Sequence, residues 1–403
     1  MFTLHETTRR SLCRMGFVLL CVLPMCAILA ATAWFGSDAY RTRQSSELSR
    51  ILGLDVSLDR VVLTQPEGLR YEGLKLADPE TGAILARAAS FSVLRHGNKI
   101  STVAIAPELE VARLDGLEDL IMRQLRLGKR GQQICFEAEK LSLRMPDKSQ
   151  RILESVHGRF DFAKDAAQAL VEFRPMSRES EEPVAIRIWR NRQTTPPSMV
   201  LEAHTGKSTL PCSLMAPFAP SIARLGRRCE FQGAFAIDLP QASNGTLVGE
   251  FHNVDLAALV GDQYPRQLVG NATIAIGEAK LLAGRLEAVR GQLFCGEGTI
   301  HRQLAETCAG EFMLAGPKMK NTFGASHKFS ELAFGFALDA RGLSISGACR
   351  SAPPGAVLVD GSGVAVGEPV TRLPLATVEQ VFSSSRHTLL GVLPIMDEGR
   401  KRR

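Results

Sequence analysis

The residues that could do chemistry in this chain are few, and their spacing is uninformative. Thr205-Gly-Lys-Ser-Thr209 ends like a phosphate-binding loop, in which backbone N–H groups and a lysine cradle an anion at a helix N-terminus. That loop needs a glycine five positions before Gly206, where Leu201 stands, and a following helix, which Pro211 would cut short. A polar turn after a strand is the better account. The eight histidines are dispersed, with no H-E-x-x-H pattern and no His-x-His pair. No G-x-S-x-G elbow occurs, and Ser344 and Ser346 simply alternate along a strand pattern. Glu181 and Glu182 lie in the charged run SRESEEP, where solvated charge is the default. No catalytic, cofactor-binding or metal-binding residue is assigned. Asn244-Gly-Thr and Asn271-Ala-Thr match the glycosylation acceptor pattern, which matters only in a eukaryotic secretory pathway.

Nine cysteines are present, and six lie in the body: Cys135, Cys212, Cys229, Cys295, Cys308 and Cys349. An even count permits disulfides outside the cytosol, but the spacings match no framework and no C-x-x-C occurs. Buried free thiols are the favoured reading, and zinc has no support.

What must position these residues starts with an apolar rod. GFVLLCVLPMCAILAATAWF (16–35) carries no charge and is flanked by Arg14 and Asp38. At 1.5 Å per residue such a helix spans roughly 30 Å, the hydrocarbon thickness of a bilayer. Trp34 and Phe35 suit the headgroup interface, and Pro24 is tolerated better in a membrane helix than in a soluble one. An uncleaved anchor is preferred because the stretch exceeds a usual signal-peptide core. A cleaved signal peptide stays open, since Ala31-Thr-Ala33 has the small-x-small cleavage pattern. Arginines on both sides of the span leave the positive-inside count nearly balanced, and the short basic head is placed in the cytoplasm. The formal charge of +6 is concentrated at the ends, in residues 1–14 and in the tail DEGRKRR. A nearly neutral body with 6% aromatic residues argues against nucleic acid as a partner.

The body reads as ribbons. LDVSLDRVVL (54–63) alternates apolar and polar residues, the period of a strand. LRYEGLKLADPETGAILARAASFSVL (69–94) predicts a β-hairpin: Gly73 re-phases the first strand through a bulge, DPETG turns the chain, and Ala89, Phe91 and Val93 return. A polar helical neck is expected over 37–52, and a helix over 116–128 with Asp115 as cap and Gly128 as stop. Shorter helices are expected near 214–226, 255–262, 301–313 and 375–382. From 229 onward strand follows strand, punctuated by glycine. The expected fold is mainly β with a few short helices: an N-terminal transmembrane helix, then a large curved, groove-like antiparallel sheet. The chain divides into a basic head (1–14), an anchor (15–36), an N-terminal β-rich part (37–228), a C-terminal β-rich part (229–350) and an extension with a basic tail (351–403).

The hairpin 69–94 behind a single anchor resembles the start of AsmA-like bacterial envelope proteins, and GTLVGEFHNVDLAALVGDQYPRQLVGNATIAIGEAKLLAGRLEAVRGQLFCGEGTI (245–300) is similar to their C-terminal-type repeat. The resemblance rests on glycine and apolar positions. It implies a single-pass protein of the bacterial inner membrane with its bulk in the periplasm, related to bridge-like proteins that carry phospholipid. Membrane lipids are the implied partners, with other envelope proteins or self-association as alternatives. The groove positions expected to face lipid are Leu69, Tyr71, Leu74, Leu76, Phe91 and Val93. Two other readings stand beside lipid handling: a membrane-tethered scaffold with a filled β core, and an exported enzyme.

Overall fold

The computed structural model describes residues 14–65, 68–146, 148–175, 182–195, 197–216, 220–239, 244–260, 268–283, 285–315, 326–361, 363–369 and 371–374. It opens with the apolar helix α1 (Arg14–Phe35), none of whose residues is buried against the rest of the chain. Pro24 cannot donate to the helical ladder, and the turn ahead of it, Val18–Val22, widens to π spacing. The chain turns at Gly36 into α2 (Asp38–Leu52). Ser37 caps it by accepting from the Tyr40 N–H at 3.2 Å, and Gly53 ends it in a left-handed conformation (φ 71°).

The rest is one large, mostly antiparallel sheet with few helices. Strands β1 (Asp55–Ser57) and β2 (Arg60–Gln65) share the flank of β3 (Gly68–Ala77), which pairs with β4 (Ile84–His96), and β4 with β5 (Lys99–Glu110). The turn between β3 and β4 forms as expected. Asp78 Oδ1 accepts from the Glu80 N–H at 2.8 Å, and Gly82 is left-handed (φ 66°). From β5 the chain crosses over through α3 (Leu114–Leu127), so β6 (Gln133–Arg144) runs parallel to β5. Antiparallel pairing then continues through β7 (Gln150–Phe162), β8 (Ala166–Pro175), β9 (Val184–Asn191), and β10 (Met199–His204) with its collinear partner β11 (Leu210–Pro211). β10 and β11 both pair with β12 (Glu230–Leu239), so the sheet continues without a break across the boundary drawn at 228/229. After α4 (Cys212–Met215) come a 3₁₀ turn, Pro220–Leu225, and then β12, so prolines split the helix expected over 214–226.

The second half of the ladder is β13 (Gly245–Asp255), α5 (Leu256–Val260), β14 (Leu268–Val269) collinear with β15 (Asn271–Leu282), and β16 (Arg285–Cys295) collinear with β17 (Gly298–His301). Helix α6 (Arg302–Glu311) leads to β18 (Ser326–Asp339). That strand pairs with β19 (Gly342–Gly347) and β20 (Ala356–Asp360), and β21 (Gly363–Gly367) lies on β20. The helix expected at 375–382 lies outside the described residues.

Two local expectations need correction. Asp115 is not the cap of α3: the helix begins two residues earlier than expected, at Leu114 after Arg113, with no side-chain cap. Gly128 does end it, but with an ordinary φ of −56°. Glycine is required there because a Cβ would come within 2.0 Å of the Phe162 ring. Nor does Gly73 shift the register of the hairpin, since Glu72 pairs with Ser90 and Leu74 with Ala88 on one continuous count.

Instead a crease crosses the sheet. Gly73 (φ 63°), Ala106 (φ 47°) and Ser155 (φ 50°) are left-handed and fall, by register, within one residue of a single line across β3 to β7. A left-handed residue inside a strand reverses which parity faces inward. The three strands that carry one accordingly change phase there, from Tyr71 to Leu74 in β3, Ala104 to Pro107 in β5 and Leu153 to Val156 in β7. Ala106 and Ser155 hold this conformation without the freedom of glycine, which costs on the order of 1 kcal/mol each.

Candidate functional site

The apolar face of the second half is built by alternation, which bulges re-phase between Phe251 and Val254 of β13 and between Ile276 and Glu278 of β15. Register aligns Phe235, Leu247, Ala279, Val289, Leu338 and Leu343 across six strands in one row. A second row runs Phe251, Ile274, Leu293, Phe334, and a third Ile276, Gly291, Phe336, Ile345. The opposite parity carries Glu250, Glu278, Arg290, Gln292 and Ser346, all exposed. Period two therefore segregates the two faces, and the register stacks like with like.

This face borders a cavity of about 580 Å³. Among the described residues, short pieces of chain reach it from outside the sheet: Met215 of α4, Ile222 and Leu225 of the 3₁₀ turn, Leu256, Leu259 and Val260 of α5, Leu304, Ala305 and Cys308 of α6, and Phe312 and Leu314 just after it. Ile274, Ile276, Phe334, Phe336 and Ile345 are half-buried, so the sheet's side chains surround space instead of filling it. Gly291 sets the depth at the centre of the third row. A Cβ there would meet the Phe336 ring at 2.7 Å and the Ala275 carbonyl at 2.5 Å. The ring thus lies over bare backbone.

Electrostatically the chamber is quiet. Thr246 and Lys280 are its polar residues, and Lys280 pairs with Glu278 at 3.5 Å. The Cys308 thiol is pushed up to about 11 by burial, with Glu311 adding to the shift, so it stays protonated at neutral pH. No group of three His, Cys, Asp or Glu that could hold a metal occurs among the described residues. The arrangement can accommodate apolar matter. Its volume falls within the roughly 300–1,000 Å³ usual for ligand sites.

The six positions expected to face lipid lie elsewhere, and none lines the cavity. Tyr71 and Leu74 are buried with Val56, Leu58, Val61 and Ala88, while Leu69, Leu76, Phe91 and Val93 pack around them. Tyr40, Leu48 and Leu52 of α2 pack against that cluster. The Tyr71 hydroxyl donates to Gln44 Oε1 at 3.3 Å, and burial, with Tyr40 and Glu47 nearby, pushes its pKa up to about 12. The signal for the chamber was present in the alternation of 229–345. What one strand pattern does not carry is which apolar face receives a cover.

The remaining polar features serve the fold. Thr205 is fully buried, and its hydroxyl accepts from the Gly233 N–H at 2.8 Å, fixing the 205–209 turn against β12. Glu331, buried in the interior of β18, accepts from the Arg350 and Ser351 N–H groups at 2.8 and 2.9 Å. Burial opposes its ionisation, but these donors and the Ser351 hydroxyl outweigh that and hold its pKa below the usual carboxylate range. The carboxylate thereby pins the 349–355 loop. Comparison of the chain with known protein families, with curated proteins and with solved structures gave no match in any of the three.

Proposed function

We propose that this is a membrane-anchored envelope protein of the AsmA-like type, whose C-terminal chamber holds the acyl chains of phospholipid. In this reading α1 stays in the bacterial inner membrane with the head in the cytoplasm, and the β body lies in the periplasm. The observation that carries the proposal is the half-buried apolar lining around about 580 Å³ with almost no polar group in it. Each methylene moved from water into such a space gains roughly 0.8 kcal/mol, so a long acyl chain is a favoured occupant and a small polar metabolite is not. An apolar helix of this length is shared by anchors and signal sequences. Surface-charge extraction of membranes at alkaline pH, followed by N-terminal sequencing, separates the two.

The twenty-one strands among the described residues occupy sixteen places in the ladder, because five are short collinear pieces. At about 4.8 Å per strand the stack reaches at most roughly 70 Å. Such a chain holds or hands on lipid and needs a partner or further copies to bridge two membranes.

The test is photo-cross-linking in cells with a photoreactive residue at Phe336 in the full chain, and at Phe294 on the exposed outer face as control. A phospholipid adduct at 336 and none at 294 is expected. Adducts to protein alone at both positions would replace lipid handling with the scaffold reading.

A further inference from the structure

Cys212 and Cys229 stand opposite each other where β11 meets β12. Leu210 pairs with Phe231 and Pro211 with Glu230. The next rung sets Cys212 against Cys229, and the Cys212 N–H donates to the Cys229 carbonyl at 2.9 Å. Directly opposed residues of an antiparallel pair have Cα atoms about 4.5–5.5 Å apart and side chains on the same side, inside the roughly 4.4–6.8 Å that a disulfide spans. Both side chains are almost fully buried, at 1% and 2% exposure, and the two thiols are hydrogen-bonded to each other. The other strand cysteines have no such neighbour: Cys135 faces Ser101 and Arg159, and Cys295 faces Ala272 and Leu332.

We infer that Cys212 and Cys229 form a disulfide that ties the cover carried by residues 213–228 to β12. That segment supplies Met215, Ile222 and Leu225 to the chamber. The bridge would fix one wall of the cavity whatever the occupant. The pairing rests on the register alone, and its oxidation in the cell rests on the proposed compartment.

The chemistry is exchange with an external disulfide, either an oxidoreductase or oxidised glutathione. One cysteine thiolate attacks a sulfur of that disulfide and releases one thiolate. The second cysteine then attacks the mixed disulfide and releases the other. Two protein thiols are oxidised, one external disulfide is reduced to two thiols, and the protons follow the leaving thiolates. The hydrogen bond that the Cys212 thiol donates to Cys229, together with burial, raises the Cys212 pKa, so little thiolate forms once the cover is seated. The bridge is therefore made as the chain folds and is protected afterwards.

The full chain, reduced and unfolded, is refolded in a mixture of oxidised and reduced glutathione, then denatured and alkylated without reductant. Trypsin cuts after Lys207, Arg224, Arg228 and Arg266, so the two cysteines leave in separate peptides, 208–224 and 229–266. Those two peptides are expected as one linked species, lighter than their sum by two hydrogens, with alkylation at both positions lost. Recovery of both peptides singly alkylated, or linkage of either to a different cysteine, overturns the pairing. Cells quenched with N-ethylmaleimide before lysis report on the compartment. A pair bridged in glutathione but blocked by the maleimide in cells would remove the periplasmic placement and leave the pairing standing.

Discussion

The two halves of the sheet carry apolar faces of similar make and treat them differently. In the first half long helices lie over them. Tyr40, Leu48 and Leu52 of α2 pack against the cluster of Tyr71 and Leu74, and Met122 and Leu125 of α3 are buried with Phe162, Ile188 and Leu201. In the second half the described elements that reach the face are α4, the 3₁₀ turn, α5 and α6, and a chamber is left between them. An alternating strand specifies an apolar face and nothing more. Whether that face becomes core or cavity is decided by whether the chain supplies an amphipathic element long enough to lie on it.

The largest expected contrast is a carboxylate placed in each half. Leu125 of α3 is fully buried, with Ala167, Ala169 and Leu201 in its cluster. Leu125→Asp leaves an unpaired charge in a filled core and costs about 4–5 kcal/mol, enough to abolish a cooperative thermal transition in a marginal fold. Ile276 borders open space, so the carboxylate of Ile276→Asp stays hydrated and costs about 1 kcal/mol, while the lipid adduct at Phe336 disappears. Melting curves of the two variants give the comparison directly. Equal losses would mean that the second half is as solidly filled as the first.

A second test uses pH and touches only the first half. The Tyr71 hydroxyl has a folded pKa of about 12 against 10 when unfolded. The neutral form is the one the fold prefers, so this contribution is complete below pH 10 and declines as pH rises through 12. Between those limits the folded state binds more protons than the unfolded one, and stability falls by roughly 1.4 kcal/mol per pH unit. Tyr71→Phe should flatten that part of the profile in urea titrations from pH 9 to 12. An unchanged slope would show that Tyr71 is not sealed beneath α2.

Much of this architecture was legible from the chain, for reasons that are local. DPETG makes its turn from Asp78 and Gly82, Ser37 and Gly53 bound the neck helix, and the alternation over 229–345 sorts two faces without help from elsewhere. The crease was not legible, because Ala106 and Ser155 adopt left-handed backbone that neither residue type advertises. The cover was not legible either. Leu69 to Val93 reads as a hairpin with a lipid-facing side until α2 folds back over it, and that contact joins segments that the strand pattern does not link. The opposition of Cys212 and Cys229 likewise exists only once β11 has found its rung on β12.

The smallest expected effect is the most discriminating, because it removes bulk without adding charge. Phe231 is fully buried and touches Phe251 at a ring separation of 5.0 Å, so Phe231→Ala opens a void that its neighbours cannot close and costs about 3–5 kcal/mol. Phe334 lies on the same row of that apolar face, reached from Phe231 through Phe251, Ile274 and Leu293; it is half-buried and already faces the chamber, with Phe336 at 6.3 Å. Truncation there enlarges space that exists instead of creating an enclosed void, so the cavity contribution drops out and only the lost burial of half a ring remains. Phe334→Ala should therefore cost about 1 kcal/mol in chemical denaturation, and lipid adducts at Phe336 should persist or increase as the chamber widens. A loss as large as that of Phe231→Ala would mean that the Phe334 ring is packed on all sides, and the contrast between a filled core and an open chamber would fail within one row of the same face.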